Sequence, residues 1–204
     1  MLNLGCGIRL AENGFINVDK YLNFKDLKAA KGKYVNAKVP KGAKFIKADI
    51  LALPFKRNYA DYIESVDVLE HMSFKVVIKA LSEIYRVLKL GGKFCMLTVD
   101  FDDLASLWVD NVKGKPLDTQ EAMNKYSNVM EMIYGNQTHE GEFHKTAFNS
   151  FFLGYCLKQA GFLDFKIKMT IFPIGSPEPP PFLAHSWPPE AVMRSGMLWV
   201  EAIK

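Results

Sequence analysis

Between positions 134 and 144 the chain gathers Tyr134, Gln137, His139, Glu140, Glu142 and His144, six groups able to bind an oxygen or move a proton. Such a set can align a nucleophile and take up the proton it sheds, and the imidazoles are suited to the second task because they change charge near neutral pH. The bland alternative is a polar loop whose histidines are solvated or cap the helix that begins near Thr146. A metal is not expected, because His139 and His144 are five apart, whereas His-Glu-x-x-His needs a spacing of four to set both rings on one helical face. Asp67 and His71, four apart at what reads as the start of a helix, are candidates for the same pocket, although the helix dipole alone would favour an acid at Asp67.

A second set of residues opens the chain. Leu2-Asn3-Leu4 is a short apolar run that breaks into Gly5-Cys6-Gly7, the kind of turn that lets backbone pass close to a ligand. A dinucleotide fingerprint would need a third glycine where the chain has Leu10, and no Gly-Lys-Ser/Thr follows, so neither a dinucleotide nor a phosphate loop is indicated. An acid at the end of the second strand, Asp19, can accept hydrogen bonds from both hydroxyls of a ribose. Asp49, at the end of the third, has Ile50 and Leu51 beside it, which could cover an adenine. Together they suit a nucleoside without phosphates. Taken one at a time, Gly5 and Gly7 need only make a tight turn, Asp19 and Asp49 need only cap the segments after them, and Glu70 and His71 need only pair locally.

Behind these residues stand apolar runs ending in an acid, which recur at 15 to 19, 43 to 50 and about 61 to 66 and read as buried parallel strands. From Ser73 to Lys89, Val77, Ile78, Leu81, Ile84, Tyr85 and Leu88 share one helical face, and Gly91-Gly92 reads as its C-terminal stop. A fifth strand is expected at 93 to 100, so that a helix crosses between parallel strands. Helical patterns return at about 103 to 112, 118 to 133 and 147 to 160, the last closed by Gly161. Two strands at 162 to 172 and 196 to 204, joined through "GSPEPPPFLAHSWPPE", are expected to run antiparallel at the sheet edge. The fold expected is α/β, a doubly wound sheet, with residues 1–204 as a single domain. The twelve positions from Gly7 to Asp19 are short for a crossover helix, so the first one should be abbreviated.

"LNLGCG", "INVD", "KADILALPF", "SVDVLEHM" and "EIYRVLKLGGKF", in this order over about residues 2 to 100, resemble the successive motifs of the class I S-adenosylmethionine-dependent methyltransferases, especially the small type 11 group. The resemblance implies a Rossmann-like, mostly parallel seven-stranded sheet with an antiparallel terminal strand. It also implies S-adenosylmethionine as cofactor. Gly5, Cys6 and Gly7 would approach the methionine part, Asp19 the ribose and Asp49 with Ile50 the adenine, while Ser65 and Val66 would lie near the sulfonium. Residues 1–100 would form the cofactor half, and 101–204 the substrate-side insertion and last strands. Small methyltransferases of sugar and envelope biosynthesis carry a similar Gly-x-Gln, His and His-Lys insertion, which implies that Tyr134, Gln137 and Glu142 face the substrate and that His144 or His139 is the base. A small molecule or glycan, methylated at oxygen, is the expected acceptor.

Composition bounds these readings. No apolar stretch approaches the roughly 20 residues of a membrane span, and the first residues lack an export signal's pattern, so a cytoplasmic protein is expected. Cys6, Cys95 and Cys156 are odd in number and widely spaced, which suits free thiols rather than a disulfide framework or a zinc site. The net charge of +4 is uneven: Lys20, Lys25, Lys28, Lys31, Lys33, Lys38, Lys41, Lys44 and Lys47 meet only Asp26 in their stretch. Because no arginine or aromatic residues interleave in the way base stacking would want, this reads as a solvated face more than as a nucleic-acid surface. Two competing functions remain open at this level, an RNA methyltransferase using that lysine face and a non-catalytic S-adenosylmethionine-binding regulatory protein.

Overall fold

The computed structural model describes residues 1–7, 10–11, 14–21, 42–138, 140–170 and 196–204. His139, the lysines from Lys25 to Lys41 and the proline-rich connection lie outside the described residues. β1 (Leu2–Leu4), β2 (Ile16–Asp19), β3 (Lys44–Lys47), β4 (Ala60–Val66) and β5 (Leu88–Val99) run parallel. β7 (Met197–Ile203) is inserted antiparallel between β5 and β6 (Asp164–Thr170), giving the order β3-β2-β1-β4-β5-β7-β6. The expected doubly wound sheet with an antiparallel terminal strand is what forms. Among the described residues no helix is long and apolar enough to cross a membrane.

The helix expected between strands four and five is α1 (Phe74–Val87), and it buries Val77, Ala80, Leu81, Ile84 and Val87 against the sheet. On the same face lies α4 (Ser150–Ala160), contributing Leu153, Cys156 and Leu157. Asn149 caps α4 by accepting from the Phe152 N–H, and Gly161 ends it in the left-handed conformation, φ +109°. The other face carries Val66, Cys95, Leu97 and Val99 under α2 (Phe101–Asn111) and α3 (Gln120–Tyr134).

Two expectations about local structure need correction. Gly91-Gly92 does not stop a helix: α1 ends at Val87, and β5 has already begun at Leu88. Leu88 pairs with Ala60 and Lys93 with Tyr62, so the residues between them bulge out of the ladder. Gly91 has φ +72°, and a Cβ on Gly92 would sit 2.9 Å from the Lys89 carbonyl. The glycines thus serve the bulge. Asp67, for its part, does not start an α-helix. It has φ +52° and precedes the 3-10 turn Leu69–His71, so the four-residue spacing to His71 carries no helical-face meaning.

The abbreviated first crossover is borne out among the described residues, none of which is helical between β1 and β2. Asn17 ties down the described part of this connection. Its carboxamide accepts from the Ala11 N–H at 2.7 Å and donates to the Ala11 carbonyl at 3.1 Å, while the Asn3 side chain donates to it at 2.9 Å. Leu10 and Ala11 are buried. A buried side chain thereby satisfies backbone groups that a helix would have satisfied internally.

Candidate functional site

Register places the strand ends on one edge. Leu4 pairs with both Val18 and Ser65, Asp19 with Lys47, and Val66 with Leu97. The loops after β1, β2, β3, β4 and β5 therefore open at the same C-terminal edge, where open α/β sheets bind ligands.

The first loop is built tightly around Asp19. The Gly5 and Cys6 N–H groups donate to the Val18 carbonyl at 2.7 and 3.1 Å. The Gly7 N–H donates to Asp19 Oδ2 at 2.9 Å, and the Tyr21 N–H donates to Oδ1 at 2.7 Å. Each carboxylate oxygen is thus held by one main-chain amide. Gly5 has φ +63°, and a Cβ there would fall 2.5 Å from Val68 Cγ2, so close approach demands glycine. At Gly7, φ +47°, nothing among the described residues lies within 4 Å of the same point, so they leave the turn open there. The Cys6 side chain, by contrast, is buried with Leu10 and Phe45, and burial, with Asp19 nearby, pushes its thiol well above the ordinary range. Its contribution at the loop is its backbone.

Asp49 caps the 3-10 turn Ile50–Ala52, accepting from the Leu51 N–H at 2.9 Å through Oδ1, and its Oδ2 pairs with Lys20 Nζ at 2.9 Å. These partners outweigh desolvation and hold its carboxyl below the usual value. Ile50 is buried in the main core. The segment after the turn is tied to α1, because Glu83 Oε1 accepts from the Leu53 N–H at 2.8 Å and Arg86 Nη2 donates to the Leu53 carbonyl at 3.2 Å. At the end of β4, Ser65 has a buried Oγ with no hydrogen-bond partner among the described residues, next to the buried Val66. An orphaned hydroxyl, an open glycine turn and an anchored carboxylate fit a polar nucleoside-type cofactor such as S-adenosylmethionine.

A second centre lies beyond β4. The loop after α3 turns back on itself so closely that a Cβ on Gly135, φ +77°, would sit 1.8 Å from the Glu142 carbonyl. The His144 N–H then donates to the Tyr134 carbonyl at 2.9 Å, and Thr138 Oγ1 donates to Glu142 Oε2. Beyond it the chain is stapled to the turn after β4: the Lys145 and Thr146 N–H groups donate to the Glu70 carbonyl at 2.7 and 3.1 Å, and Thr146 Oγ1 donates to the Met72 carbonyl at 2.5 Å.

This brings His144 against His71, ring centroids 4.7 Å apart and nearly perpendicular, beside the buried Glu70. His144 Nδ1 faces the Met132 carbonyl at 2.9 Å and His71 Nδ1 faces the Phe143 carbonyl at 3.3 Å. A carbonyl can only accept, so in both neutral rings the hydrogen belongs on Nδ1 and the lone pair on Nε2. Burial, and then the neighbouring His144, push His71 below its ordinary value, which keeps it neutral at pH 7. A cavity of about 20 Å³ borders Glu70 and His144 and is walled by Val99, Leu104, Met132 and Phe148. A larger surface cleft of about 230 Å³, by Lys115, Leu117 and Thr119, is lined by none of the strand-end residues.

The structure therefore unites His144 with Glu70 and His71. Tyr134 and Gln137 are exposed on the loop, Gln137 at φ +55°, and Glu142 holds the loop through Thr138. Sequence reasoning does not single out Gly135 or Thr146. A glycine directly after a long helical pattern is the available signal for the first.

Residues 2–96 match the family described as a methyltransferase domain. An uncharacterised protein of Methanocaldococcus jannaschii is 34% identical over 126 residues, which is 59% of this chain and 51% of that one. The chain thus spans about half the length of the curated relative it matches. Among solved structures, a SAM-dependent methyltransferase of Thermotoga maritima superposes with TM-score 0.56 at 15% identity, over 100% of this chain and 80% of that one. One from Archaeoglobus fulgidus gives 0.54 at 15%, covering 100% and 85%. One from Methanosarcina mazei gives 0.55 at 17%, covering 99% and 91%. At these identities the structural likeness speaks for the fold.

Proposed function

We propose, on the premise that residues 2–96 form a class I methyltransferase domain of type 11, that the protein transfers a methyl group from S-adenosylmethionine to an oxygen of a small-molecule or glycan acceptor. The observation that carries this reading is the meeting, on one edge of the sheet, of the open glycine turn anchored to Asp19 and the Glu70–His71–His144 cluster.

The bound cofactor would supply an electrophilic methyl on its sulfonium. The chain's own residues do the rest. Gly5 and Gly7 admit the cofactor's methionine end, and Asp19, held in place by the Gly7 and Tyr21 amides, is the carboxylate for the ribose hydroxyls. Asp49 is the group for the adenine edge, reached once Lys20 yields its Oδ2. Ser65 Oγ, buried and unpaired among the described residues, waits at the end of β4 for a polar partner. Alignment of an in-line displacement is mainly positioning, and the stapled loop provides it by fixing where an acceptor hydroxyl can enter. The hydroxyl's proton is handled at the cluster, where His144 presents Nε2 because the Met132 carbonyl holds the other nitrogen. Tyr134, Gln137 and Glu142 belong to the loop that the rest of the acceptor would meet.

Calorimetric titration with S-adenosylhomocysteine tests the reading. Micromolar binding to the wild type that Asp19→Ala abolishes is expected, followed by methylation of a hydroxyl in a screen that begins with sugars. Absence of binding by a folded sample would sink it.

A further inference from the structure

Two imidazoles and a carboxylate, each offering one ligand atom within 4.8 Å of the others, converge where the loop after α3 meets the turn after β4. We infer that Glu70, His71 and His144 form a site for one divalent transition-type cation, of the zinc, manganese or iron(II) class, whose open coordination position receives the acceptor oxygen. The inference rests on the methyl-transfer reading for the role of the ion, though the ligand set stands on geometry alone.

The chemistry of the donors argues for a cation. With the hydrogens of both rings on Nδ1, facing the Phe143 and Met132 carbonyls, the two Nε2 atoms are the ones that carry lone pairs suited to a metal. Imidazoles that coordinate metals are held in this way, by a carbonyl or carboxylate on the opposite nitrogen that fixes tautomer and ring direction. Glu70 is 2% exposed, and its carboxylate supplies the oxygen donor of the group. Two nitrogens and one oxygen suit the borderline first-row ions better than calcium or magnesium, which prefer all-oxygen shells.

The framework is stiff enough to act as a site. Glu70 and His71 occupy one 3-10 turn, and His144 is locked to it through the Lys145 and Thr146 amides on the Glu70 carbonyl. Neighbouring ligand atoms around a tetrahedral ion lie about 3.4 Å apart for bond lengths of about 2.0–2.1 Å. Side-chain rotations contracting the cluster by about an ångström would close it. Three protein ligands with a fourth position open is the pattern of a catalytic rather than a structural site. The adjoining cavity of about 20 Å³ has room for one water or one hydroxyl oxygen, which is what that position requires. An ion there would acidify the hydroxyl it binds so that its proton leaves to water, and His144, with Nε2 on the ion, would act as a ligand in place of a base. The sequence hid this because the two histidines are 73 positions apart, while the spacing rule for metals looks along one helix.

The test uses the full chain, stripped with chelator and titrated with cobalt(II) chloride, reading visible absorption, and with zinc chloride by calorimetry. S-adenosylhomocysteine affinity is measured on the same samples. One equivalent per chain is expected, with affinity falling about 100-fold or more in His144→Ala and in Glu70→Gln, and unchanged in the control His185→Ala. Glu70→Gln keeps the shape of the side chain, and so serves if His144→Ala does not fold. No cobalt spectrum in the wild type, or binding retained in both ligand variants, would overturn the site. If S-adenosylhomocysteine binds while cobalt does not, the metal inference alone fails; if cobalt binds and S-adenosylhomocysteine does not, the ligand set stands and the methyl-transfer reading fails.

Discussion

The two halves of the site are assembled by different means. On the cofactor side the polar contacts span fewer positions: Asp19 is held by Gly7 and Tyr21 and Asp49 by Leu51, with the longer ion pair from Lys20 to Asp49 joining two adjacent strand ends. On the acceptor side His71 meets the Phe143 carbonyl across 72 positions, and Thr146 meets Met72 across 74. Local contacts follow from turn chemistry once the strands are in register. Distant ones depend on two loops arriving together, so a single misplaced backbone atom should undo the acceptor side and leave the cofactor side intact.

The largest effect should come from Gly135→Ala. A Cβ 1.8 Å from a backbone oxygen cannot be accommodated by side-chain movement, so the loop must open and His144 must leave His71. Methyl transfer should fall below detection while S-adenosylhomocysteine affinity stays within about twofold, read by initial rates and calorimetry. Loss of both together would show that the halves are not separable. His144→Ala, which leaves the loop's backbone unchanged, should lower turnover by about 10²- to 10⁴-fold, the range for removing a proton-transfer group. A normal rate with an identified acceptor would remove His144 from the reaction.

Asp19→Ala is the mirror experiment. Removing an acceptor of two main-chain amides and of the proposed ribose contacts should weaken S-adenosylhomocysteine by about 10- to 200-fold, corresponding to about 1.5–3 kcal/mol for hydrogen bonds to a charged group. The cobalt spectrum should not change. If it did, the acceptor side would depend on the first loop after all.

The smallest effect tests the tie between α1 and the segment after β3 on the cofactor side. The Arg86 guanidinium, at 2.6 Å, is the main cause that holds the Glu83 carboxyl below its ordinary value of 4.5, with the Leu53 amide adding to it. A carboxyl depressed on folding stabilises the protein above its unfolded value, and that contribution disappears as pH falls through the lower folded value. Glu83→Gln should therefore cost about 1 kcal/mol at pH 7 and very little under strongly acidic conditions, measured by urea unfolding across pH. A penalty independent of pH would mean that Glu83 acts through packing rather than charge.

Much of this architecture was legible without coordinates. Strand, acid and loop recurring along the first half, the apolar face of α1, and Gly161 as a cap are local patterns set by backbone geometry, and they appear where expected. The pair Gly91-Gly92 misled because the same dipeptide that ends helices also permits a bulge, and only the pairing of Lys93 with Tyr62 distinguishes the two. Asp67 misled for a related reason, since four-residue spacing has meaning only on a helix and the chain makes a 3-10 turn there.

The chain's sequence by itself determined the strand ends, their acids and the glycine turn, because these depend mainly on turn contacts close in sequence and on conformations that few side chains permit. Tertiary structure alone decided that His144 would face His71 and Glu70, which of their nitrogens would carry hydrogen, and that Gly135 would be the pivot. Those outcomes depend on which main-chain carbonyls reach each ring, and that is fixed only when two loops far apart in sequence fold onto the same edge of the sheet.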